Sequence, residues 1–268
     1  FQKLIYGNNF IRVVNYHCTK KEFINNFEAH VKFYNKHFIC VDEKMLYSFL
    51  YKKEWPHNKP GIVICFDDGL NCAVNNSIDI LNKYNLIGWF MIPIGFLIEN
   101  AENQNEFRII NEIDCYCDHK QTISPQAIPL NILKKLADEG HVIGSHTVNH
   151  KRMSNNLNHD LIKYELINSK KIIEESININ IQSFCWVGGE KENFNSNAIK
   201  IINESSYNFA FGSDAGFIQK NTNPKAIGRI NIETSYSIKL CQFYLSSIVD
   251  IYYFLRRRRV QKKIKNLI

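Results

Sequence analysis

Two groups of residues in this sequence have the types and spacing that metal-assisted hydrolysis needs. The first is Phe66-Asp67-Asp68-Gly69, directly after the apolar run Ile62-Val63-Ile64-Cys65. Along a regular strand, adjacent carboxylates point to opposite faces. Where a strand turns into a loop, both can face one mouth, and two unpaired carboxylates held close together repel until one takes up a proton. A cation removes that conflict: one carboxylate binds it and the other stays free as a base. The second group is Gly144-Ser145-His146-Thr147-Val148-Asn149-His150, after Val142-Ile143, with its two imidazoles four residues apart. Imidazole is a common zinc ligand, and catalytic zinc keeps three protein ligands plus an open position. Two histidines and one carboxylate satisfy that count. Taken singly, Asp-Asp-Gly also suits a solvated turn, and spaced histidines occur on surfaces. Here both groups close a predicted strand.

In this order and at this separation the two groups resemble the motifs of the polysaccharide deacetylases of the nodulation-factor type, Thr-Phe-Asp-Asp-Gly and His-Ser/Thr-x-x-His. Cys65 stands where that family usually has Thr. The resemblance spans about residues 11–233. It implies a distorted (β/α) barrel of about seven strands and removal of an N-acetyl group from an amino sugar. It also implies Asp67 as catalytic base, with Asp68, His146 and His150 holding a divalent metal. Zn²⁺ is the first expectation, with Co²⁺, Ni²⁺ or Mn²⁺ as alternatives.

Three further positions take their meaning from the same resemblance. His17 ends the run Val13-Val14-Asn15-Tyr16 and by itself reads as a loop histidine. The family usually places a general-acid histidine near the carboxyl end, but this chain has no histidine after His159. A permuted branch, similar to the biofilm poly-N-acetylglucosamine deacetylases, uses an amino-terminal Tyr-His instead. Tyr16-His17 resembles it, which implies His17 as general acid. Phe184-Cys185-Trp186-Val187-Gly188-Gly189 stands where relatives carry an aromatic-Pro-Tyr-Gly run. Gly188 is the expected backbone donor to an oxyanion, since such a donor needs no particular side chain. Arg229, in Gly228-Arg229-Ile230-Asn231, is expected to pair with Asp67 and keep it ionised. Asp114, Cys115, Cys117, Asp118 and His119 match no familiar zinc spacing, so no second metal site is expected.

These residues need elements to position them. Seven short β-rich runs, at 11–17, 61–66, 87–92, 141–145, 181–186, 209–212 and 227–232, alternate with helix patterns at 21–35, 43–51, 74–84, 130–139, 160–176 and 196–205. That alternation predicts an α/β fold with a parallel sheet, and seven units suit a barrel whose chemistry gathers at the carboxyl ends of the strands. Residues 97–129 show no clear element and read as a binding loop.

The chain of 268 residues suits one domain with an appendage: a deacetylase-like barrel over 1–234 and a helical tail over 235–268. The net charge of +7 is local, because the tail carries Arg256, Arg257, Arg258, Arg259, Lys262, Lys263 and Lys265 and the remainder balances at 26 basic and 26 acidic residues. A nucleic-acid binder would spread its cations over a domain face, so nucleic acid is not expected as a partner. The expected tail is a basic amphipathic helix suited to peripheral contact with an anionic membrane. Eight cysteines in a chain this long do not form a dense disulfide framework, and residues 1–9 lack the pattern of a signal peptide. The expected location is therefore cytoplasmic, with the membrane inner face as a site of association. The expected substrate is an N-acylated amino sugar in a glycan or glycan precursor. The alternatives are a deformylase or deacylase of a lipid-linked sugar at the membrane face, and a degenerate, non-catalytic glycan-binding homologue.

Overall fold

The computed structural model describes residues 7–113, 126–154, 156–188 and 195–265. The chain opens with β1 (Ile11–Tyr16), α1 (Ile24–His37) and β2 (Ile39–Cys40). Next come α2 (Glu43–Tyr47), continued by a π turn over Ser48–Lys52, and β3 (Gly61–Phe66). Two short helices, α3 (Asn71–Asn75) and α4 (Ile78–Lys83), lead to β4 (Gly88–Ile92). Then α5 (Ile94–Ile98), α6 (Gln104–Ile110) and α7 (Leu130–Asp138) precede β5 (Val142–Ser145). A long helical stretch consists of α8 (His159–Lys163), a π turn over Tyr164–Asn168 and α9 (Ser169–Ile177). After it come β6 (Ser183–Cys185), α10 (Ser196–Glu204), β7 (Phe209–Phe211), β8 (Phe217–Ile218) and β9 (Ile230–Asn231). The chain ends in α11 (Ile238–Tyr244) and α12 (Ser247–Lys265).

The sheet order is β7-β6-β5-β4-β3-β1, parallel throughout, with β9 also parallel to β1. Upstream of β9, the Ile227 N–H donates to the Ala210 carbonyl at 3.0 Å and its carbonyl accepts from the Gly212 N–H at 2.8 Å. Residues 227–231 therefore join β7 on one side to β1 on the other and close the curl of seven strands expected from the sequence. Two short strands were not expected: β2 pairs with β3 and β8 runs antiparallel to β1.

Alternation along the strands sorts the core into two layers. Val13, Val63, Cys65, Trp89, Met91, Cys185, Phe211 and Ile227 point into the barrel. Val14, Tyr16, Ile62, Ile64, Phe66, Phe90 and Ile143 point outward under the helices. Each buried apolar side chain contributes roughly 1.5–3 kcal/mol. A one-residue slip would exchange the two layers, so the register is tightly specified. Val41, Leu46, Phe49, Leu50 and Trp55 join the inner layer, and the Trp89 indole N–H donates to the Val41 carbonyl at 2.9 Å. Trp55 and Val41 crowd Gly61 at the start of β3, so residues 41–55 plug the barrel at the amino ends of its strands.

Some helix bounds depart from expectation. The pattern over 74–84 splits into α3 and α4 around Ser77, whose hydroxyl donates to the Ala73 carbonyl and diverts the backbone. The stretch 97–129 contains α6, and its residues 114–125 lie outside the described part of the chain. The terminal helices pack on the barrel through buried Cys241, Leu245 and Val249. The fully buried Arg12 of β1 donates to both Asp250 oxygens, at 2.8 and 2.7 Å, and to the Leu245 carbonyl at 2.9 Å. On either side of that anchor, Ile248, Ile251, Tyr252 and Phe254 of α12 are exposed. Among the described residues, no helix is long and apolar enough to cross a membrane.

Candidate metal centre and active site

The site forms where β1, β3, β5, β6 and the closing strand end. Asn15, Asp67, His146, Cys185 and Arg229 continue the inward alternation of their strands. Asp68 would point outward by the same rule. Its φ of 71°, followed by Gly69 at 63°, reverses the backbone and turns the carboxylate back into the mouth. Positive φ is uncommon for a residue with a side chain but well tolerated by Asp. The adjacent carboxylates foreseen at this strand end thus both face the mouth.

The segment after β5 is wound just as tightly, with φ of 69° at Thr147 and 53° at His150. Glu165 holds it. This carboxylate is fully buried, accepts the Val148 and Asn149 N–H groups at 2.9 and 2.8 Å, and accepts the Asn149 side-chain amide at 2.8 Å. It sits in the π turn between α8 and α9, a type of bulge frequent at functional sites. On the other flank, the Gly95 N–H donates to the Val148 carbonyl at 2.8 Å. A Cβ on Gly95 would collide with that carbonyl and with Asn149.

Asp68 Oδ1 lies 3.2 Å from His150 Nε2 and 3.6 Å from His146 Nε2. One ligand atom from each of the three residues lies within 4.8 Å of the others. Each imidazole is bonded through its other nitrogen to a backbone carbonyl: His146 Nδ1 to Cys185 at 2.9 Å and His150 Nδ1 to Asn111 at 2.8 Å. An N–H donated there leaves the Nε2 lone pair for a cation, the usual arrangement behind a metal-binding histidine. The donor set and its orientation therefore fit a divalent ion. Burial pushes the His146 pKa down to about 4, which keeps its imidazole neutral and ready to ligate at neutral pH. For His150, burial acts in the same direction, but the Asp68 charge outweighs it and raises the pKa.

Asp67 adjoins this trio, with a carboxylate oxygen within 4.8 Å of a His146 nitrogen and of the Cys185 sulfur, but it is gripped from the other side. Arg229 grips it with two parallel bonds, Nη1 to Oδ1 and Nη2 to Oδ2, both 2.7 Å. Arg229 is itself fixed by Nε to the Gly212 carbonyl at 3.1 Å and Nη1 to Asn15 Oδ1 at 3.0 Å. Burial alone would raise the Asp67 pKa, but the guanidinium outweighs it and holds the carboxyl below its ordinary value. Arg229 and Asp67, far apart in sequence, are thus brought together in the structure. Gly228 is required beside it, because any Cβ there would run into the Asp214 carbonyl.

His17 lines the same cavity as Asp67 and Asp68. Its side chain is 22% exposed, and its Nδ1 lies 3.7 Å from Glu233 Oε1, the distance of an ion pair rather than a hydrogen bond. Burial would lower its pKa, but Glu233, Asp68 and Asp67 outweigh that and push it up to about 9. Gly188, at φ 74°, forms part of the cavity wall with Trp186 and Val187, and its carbonyl accepts from the Ser213 hydroxyl at 2.8 Å. All seven residues singled out in the sequence thus meet at one cavity of about 220 Å³.

Three contributors escaped the sequence reading. Glu165 lies inside a helical pattern with nothing to mark its buried contacts. Asn15 reads as one polar residue in a strand, although its alternation with Val13 was a usable signal for an inward position. Glu233 follows the last strand with no motif around it. The cysteine pair Cys115 and Cys117 lies outside the described residues.

Comparison with known proteins follows the same lines. The family model described as polysaccharide deacetylase matches residues 55–210. The peptidoglycan-N-acetylglucosamine deacetylase of Bacillus cereus is 30% identical over 132 residues, covering 49% of this chain and 36% of the relative. The match thus spans about a third of that relative's length. Among solved structures, the Streptococcus pyogenes deacetylase PplD in complex with acetate superposes with a TM-score of 0.70 at 17% identity, over 88% of this chain and 98% of that one. IcaB from Ammonifex degensii gives a TM-score of 0.67 at 13% identity, covering 88% and 96%. A de-N-acetylase from Aggregatibacter actinomycetemcomitans gives 0.66 at 17%, covering 88% and 99%. At these identities the structural likeness establishes the fold.

Proposed function

This chain belongs to the polysaccharide deacetylase family, and we propose that it is a metal-dependent hydrolase that removes the N-acetyl group from an amino sugar in a glycan or glycan precursor. The observation that carries this reading is the convergence of Asp68, His146 and His150 beside an Asp67 gripped by Arg229.

Zn²⁺ is the first choice for the ion, and when bound by Asp68, His146 and His150 it would supply Lewis acidity toward the amide carbonyl and a lowered pKa for water. Asp67, kept ionised and oriented by Arg229, accepts the proton from the attacking water. The Gly188 N–H is the candidate backbone donor to the oxygen that gains charge. His17, protonated at neutral pH, delivers a proton to the departing sugar nitrogen, which otherwise leaves very poorly. The products are a free amine and acetate. The cavity of about 220 Å³ is smaller than the ~300–1,000 Å³ of common small-molecule pockets, which favours entry of one acylated sugar unit while the rest of the substrate stays outside.

The helix α12 is not the amphipathic one expected: its exposed Ile248, Ile251, Tyr252 and Phe254 are followed along the helix, not opposed across it, by exposed Arg258, Arg259 and Lys262. A basic cluster next to exposed apolar residues is the one feature that favours contact with an anionic membrane surface. Co-sedimentation with phosphatidylserine vesicles, lost when Ile251 and Tyr252 are changed to Ser, is the expected result. Equal binding by that variant would refute the contact.

The central test combines metal analysis with product identification. Purified protein is expected to hold one divalent ion and to release acetate, not formate, from N-acylated glucosamine oligomers. Asp68→Ala and His146→Ala should lose the ion. Asp67→Asn should keep the ion yet lose turnover by at least about a hundredfold. A fully active Asp67→Asn protein would overturn the assignment of the base.

A further inference from the structure

Cys18 directly follows His17 on the segment leaving β1, and Cys72 lies in α3, four residues after Asp68. Their sulfurs lie 2.8 Å apart, closer than two unbonded sulfurs normally approach and within reach of the ~2.05 Å covalent bond. Cys18 is itself buried, at 4% exposure, but a small reagent has a route toward the pair. Cys18 opens onto a separate cavity of about 370 Å³ lined by Lys20, Phe23, Glu233, Thr234 and Ser235, and Cys72 is half-buried. By contrast, Cys65, Cys185 and Cys241 are fully buried.

We propose that Cys18 and Cys72 are a redox-active thiol pair, and that their disulfide clamps the segment bearing His17 onto the helix that follows Asp67 and Asp68. The oxidant is a small-molecule disulfide. The Cys72 thiolate attacks it, forms a mixed disulfide and releases one small thiolate. Cys18 then attacks the Cys72 sulfur, forming the protein disulfide and releasing the second. The two protein thiols lose two protons and two electrons, and the reagent is reduced to two thiols. The hydrogen bond between the two sulfurs is the main influence on both, lowering the Cys72 pKa and raising that of Cys18. Cys72 is therefore the first attacker, and Cys18 gives up its proton only as it attacks the mixed disulfide. The bond closes a loop between positions 54 residues apart, a span over which a cross-link restricts the unfolded chain substantially. Little movement is needed, so oxidation fixes the mouth in the arrangement seen here. Its link to catalysis rests on the role given to His17 above, whereas the cross-link itself does not.

The full-length protein, treated with oxidised glutathione and digested without reductant, should yield a Cys18–Cys72 linked peptide by mass spectrometry. The thermal midpoint should rise by several degrees and amide exchange around residues 17–20 and 70–76 should slow. Dithiothreitol should reverse all three changes. Cys72→Ser should abolish them, and Cys18→Ser provides the same control should either variant fold poorly. Recovery of both thiols free, or each separately capped by glutathione, would overturn the proposal. Because peptide mapping and melting do not depend on turnover, an inactive enzyme that forms the bond would count against the hydrolase reading alone.

Discussion

At the scale of single residues, the site depends on how charges are paired. Arg229 holds Asp67 through a bidentate fork that a lysine ammonium cannot reproduce. Arg229→Lys should therefore lower kcat by roughly ten- to a hundredfold while leaving bound metal unchanged, a pattern that steady-state kinetics and metal analysis on one preparation would reveal. In the proposed role of general acid, His17 would work only while protonated. With its pKa pushed up to about 9, chiefly against burial by Glu233, activity should hold across neutral pH and fall as pH rises through about 9. Glu233→Gln removes a raising influence, so the alkaline limb of kcat/KM should move to lower pH. A limb that stays in place would detach Glu233 from His17. In stability terms the sign is the same: a raised histidine pKa contributes most at low pH and is lost as pH passes through the folded value.

At the scale of elements, the two histidines depend on a helix they do not belong to. Glu165 takes three donors from the wound segment after β5. Glu165→Gln puts an amide against N–H groups that need an acceptor, at a cost of about 1–3 kcal/mol. Metal affinity should weaken by roughly ten- to a hundredfold, measurable by competition with a chelating dye alongside thermal melting. This dependence was also where the sequence was hardest to read. Asp67, Asp68, His146 and His150 could be found because strand alternation and short motifs are local. The seven strands could be found because each is a β-rich run between helices. β2 and β8, each two residues long, carry too little pattern to register. Glu165 acts 17 residues away from the Val148 N–H it accepts, and it does so from within a π turn that no local pattern announces. The split of α3 from α4 turns on one serine hydroxyl, a local competition that apolar periodicity does not register.

At the scale of the molecule, the barrel and its terminal helices are tied by one buried ion pair. Arg12 and Asp250 are both nearly inaccessible. Asp250→Ala would leave a guanidinium buried without its partner charge, and such breaks cost about 3–5 kcal/mol. The denaturant midpoint should fall accordingly, whereas replacing exposed Arg258 or Arg259 should leave it nearly unchanged. The uneven charge of the tail draws attention to its exposed basic end, whereas Asp250 within it is buried against Arg12 of β1. Long-range pairs of this kind leave no trace in composition.

The plug formed by residues 41–55 also shapes the traffic of molecules through the site. With the far end of the barrel filled by Leu46, Phe49 and Trp55, the pocket is a cup and not a pipe. Under the proposed reaction, substrate would enter and both products would leave by the same opening. Acetate lingering there would occupy the place the next acetyl group must take. The kinetic signature of such a cup is product inhibition by acetate that rising substrate concentration overcomes.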